Sequence, residues 1–259
     1  MAKSDKVDDS LDALRTLLVE LNLTTAAREI AAALTMAETS SPSYSNFLRQ
    51  ILGVERAARM ERRIQRRLRW SRLGAPVSLE HFDYSARPQL PPHVVKELLS
   101  CRFIEDRRNL ILIGRPSLGK TTIANAIGHE ACNRGMSVYS IELAAMIDSL
   151  HQARADGTYQ KAFRRVTRPD LLILDDAGLE SLDHKATNEL YRVVSYRHRL
   201  NSTLVVTNLP FRRWGEFLPS ATQAVAIADR LIERSTILRF SGKSFRNPKD
   251  IHGAPLDDE

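Results

Sequence analysis

The sequence has few cysteines, few aromatic residues and no long apolar run. Cys101 and Cys132 are its only cysteines, and their spacing fits neither a metal site nor a CxxC motif, so we expect two reduced structural thiols. No segment approaches the roughly 18 consecutive apolar residues of a membrane span, and residues 1–5 lack a signal-peptide core. We therefore expect a cytoplasmic protein with no membrane partner and no disulfide framework.

Acidic residues are also in the minority. The chain has 38 Lys and Arg against 31 Asp and Glu, which gives a net charge of +7. This balance is typical of a protein with a polyanionic partner, nucleic acid first of all, and a generally basic surface is the alternative. With 43% hydrophobic and 27% charged residues, the composition is that of a folded globular protein.

The first 75 residues have the pattern of a small helical domain. Apolar residues at helical spacing predict two short helices, and Ser41 with Pro42 predicts the N-cap and first position of a long helix over about Tyr44–Trp70. Glycine and prolines from residue 74 to residue 92 then predict a linker, with a domain boundary near residue 75. The later half of the long helix is strongly basic and supplies candidate DNA-binding residues: Arg56, Arg59, Arg63, Arg66 and Arg67.

From Asn109 onward, short apolar runs alternate with helical stretches. The pattern predicts a three-layer α/β core with a five-stranded parallel sheet, because several runs lack the polar alternation of a half-exposed sheet. We expect a helical N-terminal domain at 1–75, a linker and pre-core element at 76–108, the core at 109–246 and a mobile tail at 247–259. The predicted strands are Leu110–Ile113, Val138–Ile141, Leu171–Leu174, Leu204–Thr207 and Ile237–Phe240.

A phosphate-binding motif follows the first predicted strand. Residues 114–121 match GxxxxGK[ST], and a helical run follows them. In such a loop the backbone N–H groups and the helix N-terminus bind phosphates; Lys120 would contact the β and γ phosphates, and the Thr121 hydroxyl would bind Mg²⁺. We therefore predict an ATP and Mg²⁺ site formed by Gly114, Arg115, Pro116, Ser117, Leu118, Gly119, Lys120, Thr121 and Thr122.

Two adjacent carboxylates follow the apolar run Leu171–Leu174. Asp175 would bind Mg²⁺ together with Thr121, and Asp176 would orient or activate the water that attacks the γ phosphate. Glu180 is a weaker candidate for the same role as Asp176. The alternative for the pair is a solvated acidic turn at the end of a strand.

Two further residues are candidates for transition-state stabilisation. Asn208 ends another apolar strand and could contact the γ phosphate or the attacking water; the alternative is an Asn that opens the loop before a proline. Arg230 lies in a predicted helix and could reach the nucleotide of a neighbouring subunit, which would make it an arginine finger. The alternatives are an ion pair with Asp229 or Glu233, or Arg234 as the finger.

These motifs together resemble those of the AAA+ ATPases, and more narrowly the IstB and DnaC branch, which includes the IstB-like ATP-binding proteins that serve as transposase helpers. Beyond the phosphate loop, the similarity covers LLILDDAG (171–178), VVTNLPFRRW (205–214), AIADRLIERS (226–235) and GKSFR (242–246). Upstream it covers the basic helical leader and LEHFD (79–83). The resemblance therefore spans nearly the whole chain.

The resemblance implies roles for individual residues and no separate helical lid. Asp176 stands where many AAA+ proteins have Glu, which implies slow turnover, and Arg115 is an unusual bulky charge within the loop. The implied roles are Walker A for Gly119, Lys120 and Thr121, Walker B for Asp175 and Asp176, sensor I for Asn208, the arginine finger for Arg230, and a place near the nucleotide for Arg246.

The resemblance also implies a function. It is that of an ATP-dependent regulator that assembles head to tail, as a ring or spiral, on duplex DNA, selects or remodels the target site and recruits a partner transposase. Because few aromatic residues accompany the arginines, duplex DNA is favoured over single strands. The alternatives are a DnaC-type helicase loader, an ATP-gated DNA clamp with little turnover and a small-molecule kinase.

Overall fold

The computed structural model describes residues 2–76, 79 and 91–241. Within the chain, residues 1–66 and 67–259 form two compact units, so the division falls within a long helix and nine residues before the boundary expected near residue 75. Arg246, the GKSFR segment, the tail at 247–259 and all of LEHFD except Leu79 lie outside the described residues. The question of a helical lid after the last strand lies there too.

The first unit, which we call the helical unit, is formed by α1 (Ala2–Glu20), α2 (Thr24–Ser40) and the first part of α3 (Tyr44–Ser71). Its buried core is small, with Ala26, Ile30 and Ile51 at the centre. Around them pack partly buried apolar side chains from all three helices, including Leu11, Leu18 and Phe47.

The predicted role of Ser41 is wrong. Ser41 has a left-handed backbone (φ 45°) and ends α2, because its N–H donates to the carbonyl of Ala37 at 2.8 Å. The cap of α3 is instead Ser43, whose Oγ accepts the backbone N–H of Asn46 at 3.3 Å. The helix nevertheless begins at Tyr44, as its apolar spacing predicts.

The second unit, the core, contains a five-stranded, all-parallel sheet in the order β2-β3-β4-β1-β5. Each of the five predicted apolar runs is a strand, so the predicted sheet is confirmed. The strands are β1 (Asn109–Gly114), β2 (Val138–Glu142), β3 (Leu171–Ala177), β4 (Ser202–Thr207) and β5 (Ser235–Phe240).

Helices cover both faces of the sheet, which confirms the three-layer architecture. Alternate strand residues face opposite sides: Ile111 and Val205 pack in one apolar cluster, and Leu110 and Leu204 pack in the other. The first cluster is completed by α7 (Leu143–Ala155), α8 (Tyr159–Thr167), α9 (His184–Arg197) and α10 (Ala221–Ile232), and the second by α4 (Pro92–Leu99), α5 (Arg102–Glu105) and α6 (Lys120–Asn133).

Part of the predicted linker belongs to the core. Helices α4 and α5 lie within the predicted linker. Four of their side chains are buried beneath the sheet: Val95, Leu98, Phe103 and Ile104. Pro92 begins α4 at its first turn, where a missing N–H costs no hydrogen bond, so this proline starts a helix. No helix among the described residues has the length and apolar character that a bilayer crossing requires.

Candidate nucleotide-binding site

The phosphate loop connects the end of β1 to the start of α6, and two glycines give it its shape. A Cβ on Gly114 would lie 2.4 Å from the carbonyl oxygen of Phe240 in β5, so only glycine fits there. Gly119 precedes α6 with a left-handed backbone (φ 84°), which glycine adopts without strain. Leu118 is buried in the core beneath the loop and anchors it. The N-terminus of α6 therefore lies at the carboxyl edge of the sheet.

Lys120 is buried in this loop, with only 6% of its surface exposed. Its ammonium donates to the carbonyls of Gly114 and Arg115, both at 2.7 Å, and to Oδ1 of Asn208 at 2.9 Å. Burial lowers the pKa of Lys120, and the carboxylates of Asp175 and Asp176 oppose that shift. The positive charge is thus held by neutral oxygens while the carboxylates lie nearby.

The two carboxylates lie in a β-bulge at the end of β3. Leu174 pairs with Val205, and Ala177 pairs with Thr207. Between these two pairs β3 has two residues where β4 has one, which is a β-bulge. The bulge gives Asp176 a left-handed backbone (φ 52°).

Because of this bulge, Asp175 and Asp176 lie close to the same loop although they are adjacent in sequence. The Thr121 hydroxyl donates to Oδ1 of Asp175 at 3.4 Å, and that oxygen also accepts the N–H of Asp176 at 2.9 Å. Burial raises the pKa of Asp175, and the neighbouring charge of Asp176 adds to the shift. The sequence predicted both carboxylates, but the bulge that brings them together gave no signal.

A cavity of about 230 Å³ lies between the phosphate loop and the ends of β3 and β4. Of the predicted loop residues, Gly114 and Leu118 shape the loop, and Arg115 is exposed and contributes its carbonyl oxygen to Lys120. Val206 was not predicted, because its position inside an apolar run marks it only as a strand residue. The lining residues are Pro116, Ser117, Gly119, Lys120, Thr121, Thr122, Asp176, Val206 and Asn208.

The position of Asn208 is fixed by the residue before it. The buried Thr207 hydroxyl donates to the carbonyl of Ala177 at 2.5 Å and accepts the N–H of Leu209 at 3.1 Å. The end of β4 is thereby joined to the end of β3. Asn208, the first residue after β4, consequently lies beside Lys120 at the start of the loop before Pro210.

A third carboxylate lies at the same edge of the sheet. Glu142 ends β2 in register with Asp175, and it lines a smaller cavity of about 30 Å³ together with Asp176 and Glu180. Glu180 is therefore close to Asp176 but does not line the larger cavity. Glu142 was missed, although its place at the end of an apolar run was a usable signal.

Comparison with known proteins identifies the family. The profile described as "IstB-like ATP binding protein" matches residues 16–252. The chain belongs to this IstB-like family. An ATP-binding protein of insertion sequence IS5376 from Geobacillus stearothermophilus is 32% identical over 87% of this chain and 90% of its own length. One of insertion sequence IS21 from Pseudomonas aeruginosa is 30% identical over 90% of this chain and 88% of its own length.

Solved structures support the same fold for this IstB-like chain. The DnaC helicase loader matches with a TM-score of 0.51 at 22% identity, over 57% of this chain and 87% of that one. DnaA from Aquifex aeolicus bound to AMPPCP matches with a TM-score of 0.55 at 20% identity, over 66% and 52%. The core therefore has the P-loop AAA+ fold of these structures, and the family to which the chain belongs is one of ATP-binding proteins.

Arg230 of this IstB-like protein lies far from its own cavity. The Nδ2 of Asn109, at the first residue of β1, donates to the carbonyl of Arg230 at 3.3 Å, whereas the phosphate loop begins at Gly114, the last residue of β1. At about 3.3 Å per residue, these two ends of the strand are about 17 Å apart. The structure therefore does not bring Arg230 to the nucleotide of its own subunit.

The residues named in the alternatives for Arg230 have other contacts. Glu233 forms an ion pair with Arg199, and its other carboxylate oxygen lies 3.0 Å from Nε2 of His198. Arg234 donates to the carbonyl of Asp106 at 3.2 Å. The side chain of Arg230 contacts Tyr191 instead.

One predicted DNA-binding arginine of this IstB-like chain, Arg59, stabilises the helical unit instead. Glu55 of α3 is only 2% exposed and accepts the N–H groups of Thr25 at 2.7 Å and Ala26 at 3.1 Å, which caps α2. Its other oxygen accepts from Arg59 at 2.9 Å and from Arg62 at 3.0 Å. Burial alone would raise the pKa of Glu55, but the backbone N–H groups and Arg59 lower it to about 2.

The remaining candidate arginines differ in exposure. Arg56, Arg63 and Arg66 are exposed on α3 and form no ion pair within the part of the chain that the structure describes. Arg67 is half-buried in the core unit, next to Gly135. Only the first three are thus exposed side chains of the helical unit without a charged partner there.

Proposed function

We propose that the chain hydrolyses ATP in a head-to-tail assembly on duplex DNA and there selects or remodels a target site for a partner transposase. The observation that carries the proposal is the single cavity at which Lys120, Asp176 and Asn208 meet, beside the contact between Thr121 and Asp175. These are the groups that phosphoryl transfer requires: a phosphate-binding cation, metal ligands and a residue that positions water.

Lys120 would exchange one of its partners when ATP binds. An ammonium group has three donors, and all three are used by Gly114, Arg115 and Asn208. A γ-phosphate oxygen must displace one of them, and the Asn208 side chain can move more easily than two backbone carbonyls. The released amide then lies where it can contact the phosphate or the attacking water.

The residues beside Lys120 fit a Mg²⁺ ion. The hydroxyl of Thr121 and a carboxylate oxygen of Asp175 converge to 3.4 Å, and Mg²⁺ prefers oxygen ligands from few side chains, completed by water and phosphate. When bound, the ion would neutralise charge on the β and γ phosphates. Asp176, exposed beside the cavity, would orient the attacking water and accept its proton.

Three observations support an assembly on DNA that serves transposition. Arg230 lies at the opposite edge of the sheet from its own cavity, so it can stabilise transition-state charge only at the nucleotide of an adjacent copy. Arg56, Arg63 and Arg66 form an exposed basic surface that can neutralise DNA phosphates without reading bases. Relatives encoded by insertion sequences, at 30–32% identity, favour a transposase as the partner over a replicative helicase.

Sedimentation with duplex DNA at fixed salt tests this proposal. We expect large complexes with ATP or a non-hydrolysable analogue, and small species with ADP or without nucleotide. Asp176→Asn should keep ATP bound and hold the DNA-bound assembly in place, since the water is no longer activated. If the chain stays small with DNA in every nucleotide state, the assembly is refuted and a loader that binds a protein partner becomes the better hypothesis.

A further inference from the structure

The side chain of Arg230 is held in a fixed position although it contacts no nucleotide of its own subunit. Its NH2 donates to the hydroxyl of Tyr191 at 3.0 Å, and its NH1 donates to the carbonyl of Ala226 at 2.9 Å. Its Cζ also lies over the Tyr191 ring, 4.8 Å from the centroid. A long exposed arginine would normally sample many rotamers, so these contacts restrict it substantially.

The backbone beneath this side chain is held as well. The Nδ2 of Asn109 donates to the carbonyls of Arg230 at 3.3 Å and Leu231 at 3.0 Å. The Nδ1 of His198 lies 3.3 Å from the same Arg230 carbonyl. Tyr191 itself packs from α9 against the apolar cluster that includes Leu231. Both the side chain and the end of its helix are therefore fixed.

Tyr191 holds the guanidinium without neutralising it. A carboxylate partner would cancel the charge that an arginine needs for binding phosphate, whereas a phenol and a ring face attract the cation and leave its net charge intact. Glu233, which lies close in sequence, forms its ion pair with Arg199 and also contacts His198. The neighbourhood thus orients Arg230 and keeps its positive charge available.

We propose that Tyr191 is a positioning residue that presents the charged Arg230 side chain to the ATP bound by the adjacent subunit. The proposal rests on the proposed function, because it requires the nucleotide of one copy to meet Arg230 of the next. Ordering the guanidinium before the subunits meet places it within reach of the developing phosphate charge, and small misplacements of such groups are costly in rate.

Steady-state ATP hydrolysis with saturating duplex DNA gives the first test. Arg230→Ala should lower kcat by about 1,000-fold. Tyr191→Phe, which keeps the ring and loses the hydroxyl, should lower kcat by about fivefold. Tyr191→Leu, which loses both contacts, should lower it by about 30-fold. The KM for ATP should stay unchanged in the Tyr191 variants, because the cavity of each subunit is intact.

Mixed assemblies separate positioning from a structural role. Lys120→Ala subunits bind no ATP yet present Arg230, and Arg230→Ala subunits bind ATP yet present no guanidinium, so mixing them should restore hydrolysis. Tyr191→Leu added to the Lys120→Ala chain should reduce the restored rate by about 30-fold. Added to the Arg230→Ala chain, it removes a contact that no longer exists, and the rate should change by less than about twofold.

A control residue on the same helix completes the design. Tyr196 of α9 is half exposed and stacks edge-on against Phe163, at 5.5 Å between centroids. Tyr196→Leu in the Lys120→Ala chain should leave the restored rate within about twofold. Equal losses from Tyr191→Leu in both chains would overturn the positioning role while leaving Arg230 as the finger. Wild-type turnover in Arg230→Ala would instead refute the intersubunit step of the proposed function.

Discussion

Glu55 and Lys120 are buried charged side chains, one in the helical unit and one in the core, and they differ in what surrounds them. Glu55 is neutralised by Arg59 and Arg62 and has a pKa of about 2. Lys120 is held by neutral oxygens, its pKa is lowered by burial, and a cavity opens beside it. A buried charge that is paired indicates a structural role, whereas a buried charge that is incompletely neutralised beside a cavity indicates a binding site.

Arg197 shows that the cavity is a necessary part of this distinction. Its guanidinium is 1% exposed and donates to several carbonyls, among them those of Thr167 and Pro169 at 2.9 Å, while burial lowers its pKa to about 9. Arg197 lines neither of the two cavities at the carboxyl edge of the sheet. Arg197 therefore joins the loops around β3 and β4, and its charge serves packing.

Removing the charge of Lys120 should have the largest effect. Lys120→Ala should weaken ATP binding by at least about 100-fold, because a phosphate loses its charged partner in a partly desolvated site. Equilibrium titration with a fluorescent ATP analogue measures the change. Lys161→Ala, an exposed lysine on α8, is the matched control and should bind normally. Unchanged affinity in Lys120→Ala would show that the charge serves only packing.

Removing the charge of Glu55 should affect the other unit. Glu55→Gln should destabilise the helical unit by about 2 kcal/mol. The amide NH2 would replace the carboxylate oxygen that accepts two backbone N–H groups, so both hydrogen bonds would be lost and donors would face donors. Hydrogen exchange over residues 24–30 should accelerate, while ATP affinity stays unchanged. Glu61→Gln on the same helix, where the carboxylate is exposed and accepts from Gln65, is the control.

The same pair of variants gives a pH test. A carboxylate whose pKa falls on folding contributes stability above its unfolded value and loses it on acidification. The protection of residues 24–30 should therefore decline as the pH falls from about 4.5 toward about 2. Glu55→Gln should show no such step. An identical acid profile in wild type and variant would mean that Glu55 is not ionised in the folded unit.

Replacing the exposed arginines should have a smaller effect, visible mainly in the salt dependence of DNA binding. Replacing Arg56, Arg63 and Arg66 together by Gln should reduce the slope of log K for duplex DNA against log salt by about 2.7, if each contacts one phosphate. Arg59→Gln should instead loosen the helical unit, because Arg59 contacts Glu55. An unchanged slope in the triple variant would place the DNA surface elsewhere.

Local pattern was sufficient to predict the sheet and most of the residues that line the larger cavity. Apolar runs bounded by turns located all five strands, and the spacing from Gly114 to Thr121 located the loop because its chemistry is contiguous in sequence. Features that depend on distant partners were missed: the cap that Glu55 provides for α2, 30 residues away, and the contact of Tyr191 with Arg230, 39 residues away. Helix α4 was missed because prolines that can begin a helix also mark linkers.

The extra residue in β3 makes the length of that strand as important as its side chains. The pairings of Leu174 with Val205 and of Ala177 with Thr207 fix the strand on both sides of the bulge. Loss of one residue between them would restore regular pairing and leave a single carboxylate opposite Val206. Substitutions can therefore tune Asp175 and Asp176 one at a time, whereas a one-residue deletion would remove one of the two outright. Over evolutionary time, this segment should tolerate exchanges of residue type far better than changes in residue number.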